Sequence, residues 1–284
     1  MKLKVDLHTH TLASDGALSP TDLVARAAAH GVDVLAVTDH DTCAGLEEAA
    51  GAAKQHSIRL INGIELSTIW KGIGIHIVGL DINPRHPAML QAVEYQSDAR
   101  LQRAVQIGEK LEKRKMPGVL QRATEIAGNA QLGRPHFAKA MVAMGYVSTE
   151  KEAFDSYLGA GKVGDIKSHW PELGKVIAWV LESGGVPVLA HPGKYNMTWS
   201  KLRTFLADFI ELGGQAIEIS YGAENPDRLR ELTKMAQQHK LLASVGSDFH
   251  SPRHSWTEVG RYPPLRGEYE PVWNRWTERA DCVV

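Results

Sequence analysis

Apolar and polar positions change their period several times along the chain. Residues 3–7, 32–38, 59–66 and 74–80 are short runs that are apolar at nearly every position, the pattern of strands buried on both faces. Between the first two runs lies an Ala-rich stretch with helical spacing and clear end signals. Ser19 stands at the N-cap, Pro20 at the first helical position, Asp22 in the acidic first turn and Gly31 beyond the last apolar residue. A second helix is predicted from about Thr42 to His56.

Strand-like runs then vanish. Helical patterns follow one another, broken at Met116-Pro117-Gly118, Gly128-Asn129 and Gly145, which marks residues 95–167 as a helical insertion between a first part, 1–94, and a second, 168–284. Alternation resumes with helix 171–183, strand 186–190, helix 201–212, strand 216–220, helix 226–239 and strand 242–245. Strands and helices alternating over both parts predict an α/β fold, a parallel sheet with helices outside it, closed into a barrel or doubly wound. The length, 284 residues, fits one α/β barrel or two smaller domains.

Composition narrows the function. With 32 Lys+Arg against 33 Asp+Glu the net charge is −1, which argues against a polybasic binder of long duplex nucleic acid or of membranes. The two cysteines, Cys43 and Cys282, have no scaffold or metal spacing and read as reduced thiols. The first residues reach Asp6 and His8 before any apolar segment, and no apolar run suits a membrane span, so the expected location is the cytoplasm. What stands out is the 13 histidines, several of them clustered with Asp.

Those clusters fall at one kind of place, just after the C-terminal end of a predicted strand. His8 and His10 follow the first strand with Asp15 in the loop, and Asp39-His40-Asp41 follows the second. Glu65 ends the third, His191 follows the fifth, and Asp248 and His250 follow the last. In a parallel barrel these ends share one face, where active sites are built. His76 is the exception, near the start of its strand. A His-x-His pair in extended backbone points both imidazoles the same way and so offers two nitrogens to one cation. His8, His10, Asp15, His40, Glu65, His76, His191, Asp248 and His250 make nine candidate ligands, more than the roughly four to six of a single ion, so more than one metal is expected. Oxygen and nitrogen donors without thiolate favour Mn, Fe or Zn. Asp39 and Asp41 read as carboxylates orienting imidazole N–H groups, or, for Asp41, as a helix cap. His30, His56, His86, His169 and His239 lack a paired donor and read as ordinary surface or loop residues, His254 is left open, and Cys43 and the tryptophans read as packing.

Taken together, Asp6-Leu-His-Thr-His-Thr, Ser14-Asp15-Gly16, Thr38-Asp39-His40-Asp41, Gly63-Ile-Glu65, His76, Ala190-His191-Pro192 and Gly246-Ser-Asp248-Phe-His250 resemble the polymerase and histidinol phosphatase (PHP) family of metal-dependent phosphoesterases. The resemblance implies a distorted (β/α)7, TIM-like barrel within the amidohydrolase-like superfamily and two to three divalent ions, with Mn favoured over Fe or Zn. Carried over, His8, His10, Glu65 and Asp248 would hold one ion, Glu65, His76 and His191 a second, and Asp15, His40 and His250 a third. Within the insertion, Gly133-Arg134-Pro135-His136, Glu152-Ala-Phe154 and Gly161-Lys162 resemble a stand-alone subgroup that includes 3′,5′-nucleotide bisphosphate phosphatases and 5′-to-3′ oligoribonucleotide exonucleases.

That resemblance implies hydrolysis of a nucleotide phosphate ester, foremost the 3′-phosphate of adenosine 3′,5′-bisphosphate, giving AMP and phosphate. A hydroxide on metals held by Glu65, His191 and Asp248 would attack phosphorus. Arg134, with its planar fork at a helix N-terminus, is the expected phosphate clamp, helped by His136 and Lys162, and Tyr195, Asn196 and Tyr221 are candidate contacts for base or sugar. The alternatives are a 5′-to-3′ exonuclease on short 5′-phosphorylated RNA, a histidinol-type phosphatase, and a non-catalytic, metal-stabilised binding module. The insertion argues against the histidinol phosphatase and the full ligand set against the module. Oligomeric state is not legible.

Overall fold

The computed structural model describes residues 3–167, 169–253 and 256–277; His254 and Cys282 lie outside them. All seven predicted strands form: β1 (Val5–Asp6), β2 (Val34–Val37), β3 (Arg59–Trp70), β4 (Ile73–Leu80), β5 (Val186–Leu189), β6 (Ala216–Tyr221) and β7 (Leu242–Gly246). They pair in sequence order as one sheet. The sheet curls until its ends meet, where the Leu7 amide donates to the Val245 carbonyl at 3.0 Å and Thr9 bridges Phe249. Gly246 lets this seam close, because a Cβ there would overlap His8.

The sheet is not wholly parallel. β3 and β4 form an antiparallel hairpin, and β4 is also antiparallel to β5. The cause is the two-residue turn Lys71-Gly72, both at positive φ (46° and 80°), the turn geometry that suits a right-twisted hairpin. A buried antiparallel strand is apolar on both faces too, so periodicity alone did not reveal its direction. The reversal accounts for His76: the N-terminal half of β4 lies at the barrel end where the parallel strands finish.

Strand residues divide by period two. Leu35, Val37, Ile64, Leu66, Ile217 and Ile219 share a core with the surrounding helices, whereas Val34, Ala36, Ile61, Val78, Val188 and Ala216 fill the barrel with Val272 and Trp276. Around the barrel stand α1 (Pro20–Ala29), α2 (Leu46–His56), α7 (Leu173–Glu182), α8 (Trp199–Glu211) and α9 (Pro226–His239). At α1 the Ser19 side chain accepts from the Asp22 amide, as its end signals predict.

α3 (Pro87–Glu112), α4 (Val119–Ala127), α5 (Arg134–Ala143) and the short α6 (Glu150–Ala153) follow β4, and α10 (Asn274–Thr277) ends the described chain. α3 runs unbroken through residue 95. Its first half buries Met89 and Ala92 in the barrel-side core, and its second half buries Ala104, Ile107 and Leu111 with Phe137, Met141 and Leu158 in a separate core. The helix therefore begins on the barrel and carries the insertion away from it. His86 caps α3, its ring accepting from the Ala88 amide at 3.3 Å. No described helix is long and apolar enough to cross a membrane.

Candidate metal centre

The period-two division that fills the barrel with aliphatics places Glu65, His76 and Glu218 on its inward face, in register with Ile61, Val78 and Ala216. At the mouth they meet the loop residues. The β2 extension locks onto β3, with the Asp41 amide donating to the Glu65 carbonyl at 2.9 Å and the Glu65 amide to the Asp39 carbonyl at 3.1 Å, which sets His40 beside Glu65. His191 and Asp248 take positive φ values, 28° and 53°, as residues held where L side chains are costly often do at functional sites.

All nine predicted ligands converge. Donor atoms of His10, Asp15, His40 and His250 lie within 4.8 Å of one another, as do those of His8, His10 and Asp248, of His8, Glu65 and His191, and of His40, Glu65 and His76. Glu65, with no exposed surface, is the hub. Its Oε1 lies 2.8 Å from His76 Nδ1 and 2.9 Å from His191 Nε2; its Oε2 lies 2.9 Å from His40 Nδ1 and 3.3 Å from both His8 and His10 Nε2. The groupings differ from the carried-over sets in putting His76 with His40 and His191 with His8, but share the bridging role of Glu65.

The donors fit cations. His8 Nδ1 faces Glu218 Oε1 at 2.7 Å, so Nε2 is the nitrogen that points toward His10 Nε2 at 3.1 Å, Glu65 and Asp248. Against the pull of burial, Glu218, Glu65 and Asp248 hold the metal-free ring well above the usual imidazole range, so a cation at Nε2 would take the place of a proton. Ring nitrogens and carboxylate oxygens thus crowd one another, and His10 Nδ1, His40 Nδ1, Glu65 Oε2 and His191 Nδ1 are buried without a hydrogen bond. Such an arrangement is costly unless ions fill it. Burial, together with the His250 and His40 rings, pushes His10 down to about 3, and burial pulls His76 to about 4, leaving both neutral and ready to coordinate. Burial would raise Glu65, but the charge of the His40 and His8 rings holds it well below the carboxylate range.

Above this cluster opens a cleft of about 580 Å³, lined by Asp15, His40 and His76 of the cluster, by Arg100, Arg103, Arg134, Lys167 and Trp170, and by Lys194, Tyr195 and Asn196. Arg134 donates to the Leu158 carbonyl at 3.1 Å and lies 3.9 Å from Asp165. Arg100 pairs with Asp41 at 2.6 Å, and Arg100 and Arg103 stack on Trp170. Burial and the neighbouring Arg134 and Arg100 cations depress Arg103 to about 9, a repulsion that an anion in the cleft would relieve.

Other expected contacts lie elsewhere. His136 is buried, its Nδ1 accepting from the Gly133 amide at 3.1 Å, so it closes the start of α5 rather than facing the cleft. Tyr221 is buried, its hydroxyl donating to Glu224 at 2.9 Å and accepting from the Gly193 amide, which braces the loop that carries Lys194. Lys162 is exposed outside the cleft lining, and Lys167 is the lysine that lines it. Asp39 and Asp41 hold no imidazole. Asp39 accepts from the Thr11 amide and hydroxyl and from Ser14, shaping the His10-to-Asp15 loop, while Asp41 accepts from Ser67 and pairs with Arg100.

Comparison with known proteins gives this geometry a lineage. The family model for the PHP domain matches residues 6–182. The chain belongs to the PHP domain family. It is 43% identical over 275 residues, covering 97% of this chain and all of the relative, to a 5′-3′ exoribonuclease of Haemophilus influenzae. To a 3′,5′-nucleoside bisphosphate phosphatase of Chromobacterium violaceum it is 38% identical, covering 95% of each chain. A solved structure of an amidohydrolase from C. violaceum, with bound sulfate and no metal, superposes with a TM-score of 0.90 at 38% identity, covering 97% of this chain and 96% of that one.

The site includes residues with no expected role from sequence, Glu218, Arg100, Arg103, Lys167 and Lys194, and Trp170, expected only as packing, lines the cleft under Arg100 and Arg103. Only Glu218 carried a signal, a lone carboxylate inside the apolar run Ala216-Ile-Glu-Ile.

Proposed function

We propose that this phosphoester hydrolase of the PHP family breaks the P–O3′ bond of a nucleotide whose 5′-phosphate is held by the insertion, foremost adenosine 3′,5′-bisphosphate, giving AMP and inorganic phosphate. One observation carries the reading: a cation wall of Arg100, Arg103, Arg134 and Lys167 faces the ligand cluster across a nucleotide-sized cleft. One phosphate can rest on the cluster while the other meets the wall. The sulfate in the C. violaceum structure, a tetrahedral oxyanion like phosphate, agrees with an anion site in this fold.

The same bond is broken when a 5′-phosphorylated RNA loses its first nucleotide. The two substrates differ only in what hangs beyond the scissile phosphate, a proton or the next nucleoside. The H. influenzae relative favours this second reading on the same site.

His8, His10, Glu65 and Asp248, with His76, His191, Asp15, His40 and His250, would hold two to three divalent ions, for which we favour Mn over Fe or Zn. Bound there, such ions supply Lewis acidity and lower the pKa of water beside phosphorus. The residues of the chain do the rest. Glu65 fixes the spacing of the imidazoles, Arg134 and Arg103 neutralise the distal phosphate and orient the nucleotide, and Lys194, paired with Asp248, adds positive charge beside the scissile group. Tyr195 and Asn196 border the space left for sugar and base. Residues 95–167 act as the specificity unit, and residues 1–94 and 168–284 as the catalytic barrel. A cytoplasmic location suits these substrates.

The test is release of phosphate and nucleotide by the Mn²⁺-loaded protein from adenosine 3′,5′-bisphosphate, 3′-AMP, 5′-AMP, histidinol phosphate and a 5′-phosphorylated RNA trimer. The bisphosphate and the trimer should be converted to 5′-nucleotide. Turnover of 3′-AMP or histidinol phosphate equal to that of the bisphosphate would remove the role assigned to the cation wall.

A further inference from the structure

Glu218 is fully buried in the middle of β6, on the strand face that points into the barrel. Between Glu218 and Ser220 the pairing of β6 with β7 shifts register, an irregularity of the kind that re-aims a side chain. Each of its oxygens has one partner. Oε1 lies 2.7 Å from His8 Nδ1, and Oε2 accepts the His191 backbone N–H at 2.5 Å. No Lys or Arg pairs with it among the described residues, so the ring of His8 links this carboxylate to the ligand cluster.

We infer that Glu218 is the positioning residue of the metal centre, a single buried carboxylate that sets the tautomer of His8 and the backbone of His191 together. The inference rests on the metal-dependent reading above and deepens it. By taking the Nδ1 proton of His8 it forces the Nε2 lone pair toward Glu65 and Asp248. By taking the amide of His191 it holds that residue at its φ of 28°, from which Nε2 reaches Glu65 Oε1 at 2.9 Å. His8 and His191 come from opposite parts of the sequence, and Glu65 with Glu218 clamps them from two sides. A carboxylate behind a ligating imidazole fixes ring orientation and raises its basicity. The Asp15, His40 and His250 group has no contact with Glu218 and lies outside its influence.

Glu218→Gln preserves shape but offers only one acceptor. With its oxygen on the His191 amide, its NH2 faces His8 Nδ1 and drives the His8 proton to Nε2, closing that lone pair to a cation. Mn²⁺ titration followed by the loss of free-ion EPR signal should show the wild type binding two or three ions, and the variant losing about 10- to 100-fold in affinity at one or two of them while one remains. Glu218→Asp, which keeps the charge on a shorter arm, should fall between. Melting of the chelator-treated proteins separates ion loss from misfolding. A second measurement needs no variant. In wild type loaded with diamagnetic Zn²⁺, imidazole ¹⁵N spectra, assigned with His8→Gln, should show His8 protonated at Nδ1. Wild-type affinity retained by a folded Glu218→Gln, or an Nε2–H tautomer in the loaded wild type, overturns the inference and leaves the metal-dependent reading standing. Absence of any Mn²⁺ binding by the wild type instead overturns that reading, and this inference with it.

Discussion

The barrel mouth and the helical insertion contribute opposite kinds of residue to one cleft. At the mouth, imidazoles and carboxylates stand on strand ends and the tight loops after them, locked by backbone bonds such as Asp41 N–H to Glu65 C=O. Across the cleft, cations stand on α3, at the start of α5 and on the segment after the π-turn Phe154–Leu158, packed on a core of their own. The mouth is built to hold positive charge and the wall to hold negative charge. A doubly charged nucleotide placed between them satisfies both, so chemistry and substrate choice should separate along this line.

The strongest test of that separation is Asp248→Asn. Asp248 lies 3.4 Å from His10 Nε2 and 3.7 Å from His8 Nε2, and its exchange leaves the shape but removes one negative donor. Burial would raise its carboxyl, yet Lys194 and His8 hold it well below the usual range, so it is a carboxylate at any working pH. Turnover of every substrate should fall on the order of 10³-fold, since the loss is electrostatic and at the reacting centre. Undiminished hydrolysis of adenosine 3′,5′-bisphosphate would place the chemistry elsewhere.

Arg134→Ala probes the other side. Arg134 shares Asp165 with Lys167, so its removal leaves a wall that is weakened rather than abolished. KM for the bisphosphate should rise about 10- to 100-fold through loss of a charge-assisted contact, with kcat changed far less and bound Mn²⁺ unaltered. Turnover of 3′-AMP, which has no second phosphate, should hardly move. An equal loss on both substrates would mean that the wall acts on the scissile group, and the two-region division would fail.

The same division marks how far the sequence could be read. Most mouth ligands were visible because they end or follow a predicted strand, and strands announce themselves by apolar runs. Even His76, which broke the rule under an all-parallel assumption, is explained once β4 reverses. The wall was nearly invisible. Arg100 and Arg103 lie three apart on a long charged helix, where an arginine facing solvent and one facing a cleft have the same local pattern. Arg134 is legible through the resemblance of Gly133-Arg134-Pro135-His136 to the subgroup motif, but the same resemblance also names His136, which accepts the Gly133 N–H, and Lys162, where Lys167 is the lining residue. Glu218 escaped because it is a lone carboxylate in mid-strand outside the motifs that carry the family resemblance, and only its partners reveal what it does.

The smallest expected effect concerns stability without metal, and it resides wholly in the mouth. His10 and His76 are depressed to about 3 and about 4, so the unfolded chain binds their protons first as pH falls below about 6.5. Their contribution is complete above that value and is lost as pH drops toward 4 and 3. Asp15, Glu65 and Asp248, also held low, act in the same direction further down. His8 and His40, which neighbouring carboxylates hold above the usual imidazole range against the pull of burial, have the opposite sign, and so does His250. Against the pull of burial, Asp15 raises it to about 9, so its contribution is complete below about 6.5 and is lost as pH rises through 9. The chelator-treated protein should therefore melt highest near neutrality and lower on both sides, by roughly 10 °C at pH 4.5, as scanning calorimetry would show. Saturating Mn²⁺ should flatten the alkaline side, since an ion takes the place of the proton on His250, and should steepen the acid side, where protons compete with the ion for the same imidazoles. The Arg134→Ala protein should follow the same curve, because none of these groups belongs to the wall. A shifted optimum in that variant would show that the two regions are electrostatically one.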